Sequence, residues 1–368
     1  MPTKSVDRDL SYLRGKEIGQ NGGFEAFKKN VESEIRGIAE RYLDKIGEED
    51  ERERLLYYLK IENSSFRRPL NLILTGMALG AEKEELMLLA SAIQLSQEFI
   101  LMADDFIDDS QFRRGKDSYH FAYGNENTIN DALMLLSVTW EMISDYVDYR
   151  RDFLGDNEAS RIRKKFYEVG KLTYSGESMD INMLKRAGSL GKISYEDVIE
   201  MISLKTSAYT VWGPMQLGAL AAGANERVLN AIKEIGEPAG IAFQILDDIK
   251  DFKDTKEQLG KEPFSDIWES KPTIVILRAY DSATEEEKEE LNRIYMKSKK
   301  EKTEAEIKKV IGLIEKYKGV EYASEEAQKW IGKAAEKFVK YDSDKDFRKC
   351  VKSPTYLSWL LTSIALVP

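Results

Sequence analysis

Two short runs of aspartate carry the chemistry that this sequence offers. The first is Asp104-Asp105-Phe106-Ile107-Asp108, followed by Asp109; the second is Asp247-Asp248-Ile249-Lys250-Asp251. Each has carboxylates at i, i+1 and i+4. On a helix the i and i+4 groups stack on one face, with the i+1 group about 100° round. Both runs lie in otherwise apolar stretches, 93–107 and 241–249. Three carboxylates in such a place repel one another and lose hydration unless a cation joins them. Magnesium is the natural cation, since it prefers hard oxygens and takes one or two carboxylates together with waters and substrate phosphates. A solvated acidic helix face explains one such run equally well. Two runs, each inside an apolar segment, argue against that explanation.

Phosphate also needs fixed cations. Arg113-Arg114-Gly115 directly follows the first run, and arginine chelates phosphate oxygens in a bidentate way that lysine cannot reproduce. Lys205-Thr206 precedes the second run, and Lys261 and Lys271 follow it. Taken singly, each lysine reads equally well as a surface charge.

The elements that must position these groups are helices. Leu86, Leu89, Ala90, Ile93, Gln97, Ile100, Leu101, Asp104 and Asp108 step by threes and fours along one helix face. Similar steps run through Ile199, Ile202 and Leu204, and through Ile307, Val310, Ile311 and Ile314. Capping boxes beginning at Ser194 and Thr284 mark helix starts. Breaks fall around Gly155, Gly188, Gly223 and the stretch 260–272. No alternating pattern is long enough to build a sheet, and no glycine-rich strand-to-helix turn supports a dinucleotide or P-loop site. The expectation is one all-α domain over 1–368, with the motifs in about 60–280 and a helical extension after about 282.

Composition narrows the function. The 368 residues are 42% hydrophobic and 33% charged, ample for a large core. Acids outnumber bases 65 to 55, which argues against nucleic acid or an anionic membrane as partner. The single cysteine, Cys350, rules out an intrachain disulfide framework and suits a reducing cytosol, so a cytoplasmic location is expected. The single histidine, His120, rules out a site built on two imidazoles. Residues 1–20 lack the apolar core of a secretory signal. The apolar run 357–367 is too short to span a bilayer and reads as a buried terminal helix.

Together these residues resemble the trans-isoprenyl diphosphate synthase family over about 66–273. The family's first motif, DDxxD with a downstream RRG, is matched by Asp104, Asp105, Asp108 and Arg113-Arg114-Gly115. Its second, FQxxDDxxD, is matched by Phe243, Gln244, Asp247, Asp248 and Asp251. Lys205-Thr206, Gly260-Lys261 and Lys271-Pro272-Thr273 match further elements, and Gly176, Glu177 and Asp180 match a Gly-Gln-x-x-Asp element in part. The resemblance implies an isoprenoid-synthase-type helical bundle around a deep cavity, a homodimer, and three magnesium ions. Asp104, Asp108 and Asp247 would be the main metal ligands, with Asp105, Asp248 and Asp251 ligating or supporting. Arg113, Lys205 and Lys271 would hold an allylic prenyl diphosphate, with Thr206, Gln244 and Lys261 alongside.

The isopentenyl diphosphate end departs from the family pattern. Where the family has Gly-Gly-Lys-x-x-Arg-Pro, this chain has Asn63-Ser64-Ser65-Phe66-Arg67-Arg68-Pro69. Arg68 is kept, Ser65 replaces the lysine, and Gln97 and Arg114 are the other contacts the resemblance implies. Arg67 is the neighbouring cation that can substitute. Phe99, five residues before Asp104, resembles the product-length gauge of archaeal geranylgeranyl diphosphate synthases, with Ile100 and Ser96 as neighbouring candidates. That points to a twenty-carbon product.

The implied reaction needs no protein nucleophile. Cations stabilise a departing diphosphate, the allylic carbon–oxygen bond ionises, and the isopentenyl double bond attacks the carbocation in a dry pocket. A class I terpene cyclase begins with the same ionisation, and the altered isopentenyl end favours it; three aspartates in the second run favour the synthase. A non-catalytic subunit of a heteromeric synthase remains a third reading, although neither run has lost an aspartate.

Overall fold

Helix starts follow the local chemistry of the sequence. Ser194 and Thr284 each form the expected reciprocal capping box, with Asp197 and Glu287 respectively, and so take up main-chain amides that have no helical partner. The computed structural model describes residues 21–61, 64–260 and 262–365. The elements that matter for the site are α1 (Asn21–Leu43), α2 (Arg67–Ala78), α3 (Lys83–Ile107), α4 (Asn125–Leu154), α5 (Asp156–Ala187), α6 (Tyr195–Ile202), α7 (Gly213–Ala221), α8 (Glu226–Lys253) and α9 (Ile274–Ser282). After these come α10 (Glu304–Lys316), α11 (Gly319–Asp342) and α12 (Pro354–Ala365). Residues 1–20, Asn63, Lys261 and the last three residues, on which some sequence expectations fall, lie outside the described residues.

The first aspartate run ends α3, whose apolar face the periodicity predicted. This helix is long and apolar enough to cross a membrane by composition, but 78% of its most apolar stretch is buried inside the protein. It packs between α4, α2 and α1. The second run ends α8, which lies against α11 on one side and against the segment 203–212 on the other. Apolar side chains form two cores. One gathers α1 to α4 with the start of α8; the other joins Ile241, Ile245 and Ile249 of α8 to α9, α10 and α11. Helix α12 packs on α2, with Leu360 buried, as the apolar run near the C-terminus suggested.

Two details depart from regular helices. Residues Ser203–Trp212 continue α6 as a π-helix, a rare form that frequently occurs at functional sites. Arg113 and its neighbour Phe112 pair with Lys116–Asp117 in a two-residue antiparallel hairpin, with Arg114 at φ +53° in its turn. Two glycines bring the neighbouring helices hard against the π-segment. A Cβ on Gly176 of α5 would lie 2.3 Å from the Lys205 amide nitrogen, and one on Gly240 of α8 would lie 2.5 Å from Ser207 Cα. No side chain fits at either place.

Gly240→Ala forces α8 away from the π-segment and is expected to destabilise the fold by about 1–3 kcal/mol. Denaturant unfolding of the variant checks this; an unchanged midpoint would show that the two backbones are not held in contact.

Candidate active site

The two aspartate runs face one cavity of about 510 Å³. Helix α3 contributes Gln97, Ile100, Leu101 and Asp104, and its C-terminal cap contributes Asp108, one helix face at steps of three and four. Helix α8 contributes Phe243, Gln244, Asp247, Asp248 and Asp251. The π-segment adds Lys205, Thr206, Tyr209 and Thr210, the hairpin adds Arg113 and Arg114, and Lys271 enters from the loop before α9.

Cations sit among these carboxylates. Lys205 Nζ lies 2.7 Å from Asp180, 2.9 Å from Glu177 and 3.5 Å from Asp104. Lys271 Nζ lies 3.0 Å from Asp108 and 3.2 Å from the same Asp180. Burial opposes ionisation of Asp180, but the two ammonium groups hold its carboxyl down at about 2. Burial likewise opposes charge on Asp104, yet Lys205, Arg113 and Lys271 keep it below the usual carboxylate range. At Asp108 burial prevails and the carboxyl is raised. Both lysines are raised despite burial, because the surrounding carboxylates stabilise the ammonium form.

Within each run the aspartates divide their work. Asp105 is 0% exposed. Its Oδ1 accepts from Arg113 Nε at 2.9 Å and from Arg113 Nη2, and its Oδ2 accepts from the Tyr58 hydroxyl at 2.6 Å. Asp251 accepts from Ser265 Oγ at 2.9 Å and from the Asp266 amide at 3.0 Å, tying down the loop that leads to Lys271. Asp105 and Asp251, for which the resemblance implies a ligating or a supporting role, each accept protein hydrogen bonds at both oxygens and so tie their runs to the neighbouring hairpin and loop. Asp104 and Asp108 on one side, and Asp247 and Asp248 on the other, present carboxylates to the cavity. Thr206 Oγ1 donates to Gln244 Oε1 at 2.7 Å, and Gln244 Nε2 donates to Asp248 at 2.8 Å, so the threonine–glutamine pair orients the second run.

Among the described residues, no three acidic, imidazole or thiol side chains converge on a single point. Each run instead offers one or two hard oxygen donors to the cavity. That donor set suits magnesium, which takes few carboxylates when phosphate oxygens and waters complete its shell.

The start of α2 and the residues around it also reach the cavity. Ser65, Arg67, Arg68, Gln97 and Arg114 all reach it. Burial depresses the guanidinium pKa of both Arg67 and Arg68. Arg68 stacks 4.4 Å from the Tyr209 ring centre, while its buried Nε and the buried Gln97 Oε1 have no hydrogen-bond partner in the protein. Orphaned buried polar atoms are costly unless a ligand or water meets them. Arg67 leans on the Phe243 ring at 5.1 Å and donates to the Ser363 carbonyl at 3.3 Å.

The product-length candidates fall differently. Ile100 is on the wall, and Ser96 bonds the Tyr209 hydroxyl at 2.9 Å, touching the wall from behind. Phe99, 7% exposed, packs in the apolar core and is not among the residues that line the cavity. Five residues of helix turn it about 140° from Asp104. Lys261 lies outside the described residues.

Sequence reasoning missed three residues around the site. Tyr58 holds Asp105, as above. Lys302, 6% exposed, donates to the carbonyls of Ile267 and Trp268 and to Ser270 Oγ, fixing the loop that carries Lys271. Lys299 donates to the carbonyls of Asp108 and Asp109 at 2.8 and 3.0 Å. Both lysines belong to a charged stretch that reads as solvated surface, and no pattern in it signals burial.

Comparison with known proteins agrees with this geometry. Residues 52–314 match the sequence model of the polyprenyl synthetase family. The chain is 28% identical to a short chain isoprenyl diphosphate synthase of Methanocaldococcus jannaschii over 308 residues, covering 84% of this chain and 88% of that one. It is also 28% identical to a geranylgeranyl diphosphate synthase of Sulfolobus acidocaldarius, covering 79% and 84%. In fold it is similar to the crystal structure of geranylgeranyl pyrophosphate synthase from Corynebacterium glutamicum complexed with isoprenyl diphosphate and magnesium. That likeness has a TM-score of 0.75 at 21% identity and covers 91% and 98% of the two chains. With both acidic turns, the cations lining the same cavity and most of its length thus accounted for, the chain belongs to the polyprenyl synthetase family and is a prenyltransferase.

Proposed function

We propose that this prenyltransferase condenses an allylic diphosphate with isopentenyl diphosphate in the cavity between α3 and α8, giving a longer trans-prenyl diphosphate, with geranylgeranyl diphosphate as the main product. The observation that carries the reading is that both acidic turns line one cavity, with Lys205, Lys271 and Arg113 bonded to the first of them. Asp104, Asp108, Asp247 and Asp248 would hold magnesium, three ions in all, and the bound metal would supply charge neutralisation for the leaving diphosphate.

The chain's own groups then divide the reaction. Arg113, Lys205 and Lys271 bind and orient the allylic diphosphate, and their fixed positive charge favours the state in which negative charge gathers on the leaving oxygens. Ile100 and Leu101 give the prenyl chain an apolar wall that excludes water from the carbocation. Arg68, Gln97 and Arg114 receive the second diphosphate, where the buried Arg68 Nε gains the acceptor it lacks in the protein. Arg67 supplies charge where Ser65 replaces a lysine. No protein nucleophile takes part, and the proton lost after condensation goes to the released pyrophosphate.

A homodimer in the cytoplasm is part of this reading. Its support is the apolar stripe on α4, where Ile129 and Leu133 are 53% and 59% exposed, one helical turn apart.

Incubation with magnesium, isopentenyl diphosphate and each of dimethylallyl, geranyl and farnesyl diphosphate is expected to yield elongated diphosphates, to fail with a chelator, and to come from a particle with the mass of two chains by light scattering. Cyclic hydrocarbon from an allylic substrate alone would overturn the proposal. Product chromatography also tests the length gauge: Ile100→Ala opens the wall and Phe99→Ala hollows the core behind it, so both are expected to lengthen the product. An unchanged spectrum for Phe99→Ala would leave the gauge to Ile100. Finally, Ser65→Lys is expected to lower KM for isopentenyl diphosphate, and steady-state kinetics showing no change would mean that Arg67 already fills the role.

A further inference from the structure

We infer that Tyr58 is a positioning residue for the arginine pair, holding Arg113 through its side chain and Arg114 through its main chain. Its hydroxyl donates to Asp105 Oδ2 at 2.6 Å, and Asp105 is the buried carboxylate that grips Arg113. The same hydroxyl accepts from the Tyr119 amide at 2.7 Å, so its donor direction is fixed toward the aspartate. The carbonyl of Tyr58 accepts from Arg114 Nη1 at 3.1 Å. Tyr58 is 1% exposed and meets Tyr119 edge-on at 5.8 Å, so it cannot follow Asp105 if that group moves.

The consequence is directional. Asp105 is wholly desolvated, and Arg113 alone would pull it toward the cavity, drawing the guanidinium with it. The phenol supplies a second, opposing hydrogen bond, so the ion pair has a single resting place. A charge-assisted bond at a buried carboxylate is among the strong ones. Losing it frees the Asp105–Arg113 pair while leaving Arg114 on the retained main-chain carbonyl. The two diphosphates should therefore respond unequally. This rests on the proposed assignment of Arg113 to the allylic diphosphate and Arg114 to the isopentenyl one.

The test compares wild type, Tyr58→Phe and Tyr119→Phe in steady-state kinetics for each substrate, with melting temperatures and calorimetric affinity for magnesium pyrophosphate. Tyr58→Phe is expected to raise the allylic KM and weaken pyrophosphate about tenfold, with the isopentenyl KM within about twofold. Tyr119→Phe loses its bond to Asp131 but keeps the amide that faces Tyr58, so it should lower the melting temperature without separating the two KM values. Equal rises in both KM values that track the melting temperature in both variants would reduce Tyr58 to a structural role. Pyrophosphate affinity unchanged in Tyr58→Phe would also overturn the inference. A wild type that binds magnesium pyrophosphate without elongating any primer would sink the proposed reaction, while the binding comparison still decides the role of Tyr58.

Discussion

Two ammonium groups share one carboxylate: Lys205 and Lys271 both bond Asp180, at 2.7 and 3.2 Å. Each lysine then reaches a different member of the first aspartate run, Asp104 or Asp108. None of these five groups is tolerable alone in so buried a place. Isolated ions there would shift toward their neutral forms. Together they form an alternating lattice in which the lysines stay charged and Asp180 and Asp104 stay ionised. A cavity prepared this way already holds separated positive and negative groups at fixed positions. That is the arrangement a diphosphate with divalent cations requires, because little reorganisation remains when it arrives.

The backbone around the lattice is shaped to permit it. The π-segment is wider than an α-helix, and it places Lys205 and Thr206, then Tyr209 and Thr210, on the cavity side at successive turns. Close packing on both flanks follows from Gly176 and Gly240, which let α5 bring Asp180 and α8 bring Gln244 to adjacent residues of that segment. Two of the carboxylates, Asp105 and Asp251, also hold the hairpin and the Lys271 loop. Each run thus contains both presented and anchoring members, although the sequence spells them identically.

Much of this was legible before any coordinates. The three-and-four spacing through Gln97, Ile100, Leu101, Asp104 and Asp108 is the wall of the cavity, because a helix with one polar edge in an apolar run has few other places to sit. The capping boxes at Ser194 and Thr284 are local chemistry and appear as read. What could not be read depends on contacts distant in sequence. Tyr58 and Asp105 are 47 residues apart, and Lys299 and Asp108 are 191 apart, so neither pairing leaves a periodic trace. Phe99 sits in the apolar core, off the Asp104 face, where a plain helical wheel also sets it. The π-helical winding of 203–212 also escaped, since its residues are compatible with an ordinary helix.

The short turn Lys299–Glu301 and Lys302 beside it have one more implication. Every residue recognisable by motif ends at Thr273, and a chain cut soon afterwards would look complete on paper. Such a fragment would lack the two ammonium tethers that grip main-chain oxygens beside Asp108 and just before Lys271. It would also expose the faces of Ile241, Ile245 and Ile249 that α10 and α11 cover. The minimal working unit is therefore longer than its signature, and the helices beyond α9 are part of the machinery's frame.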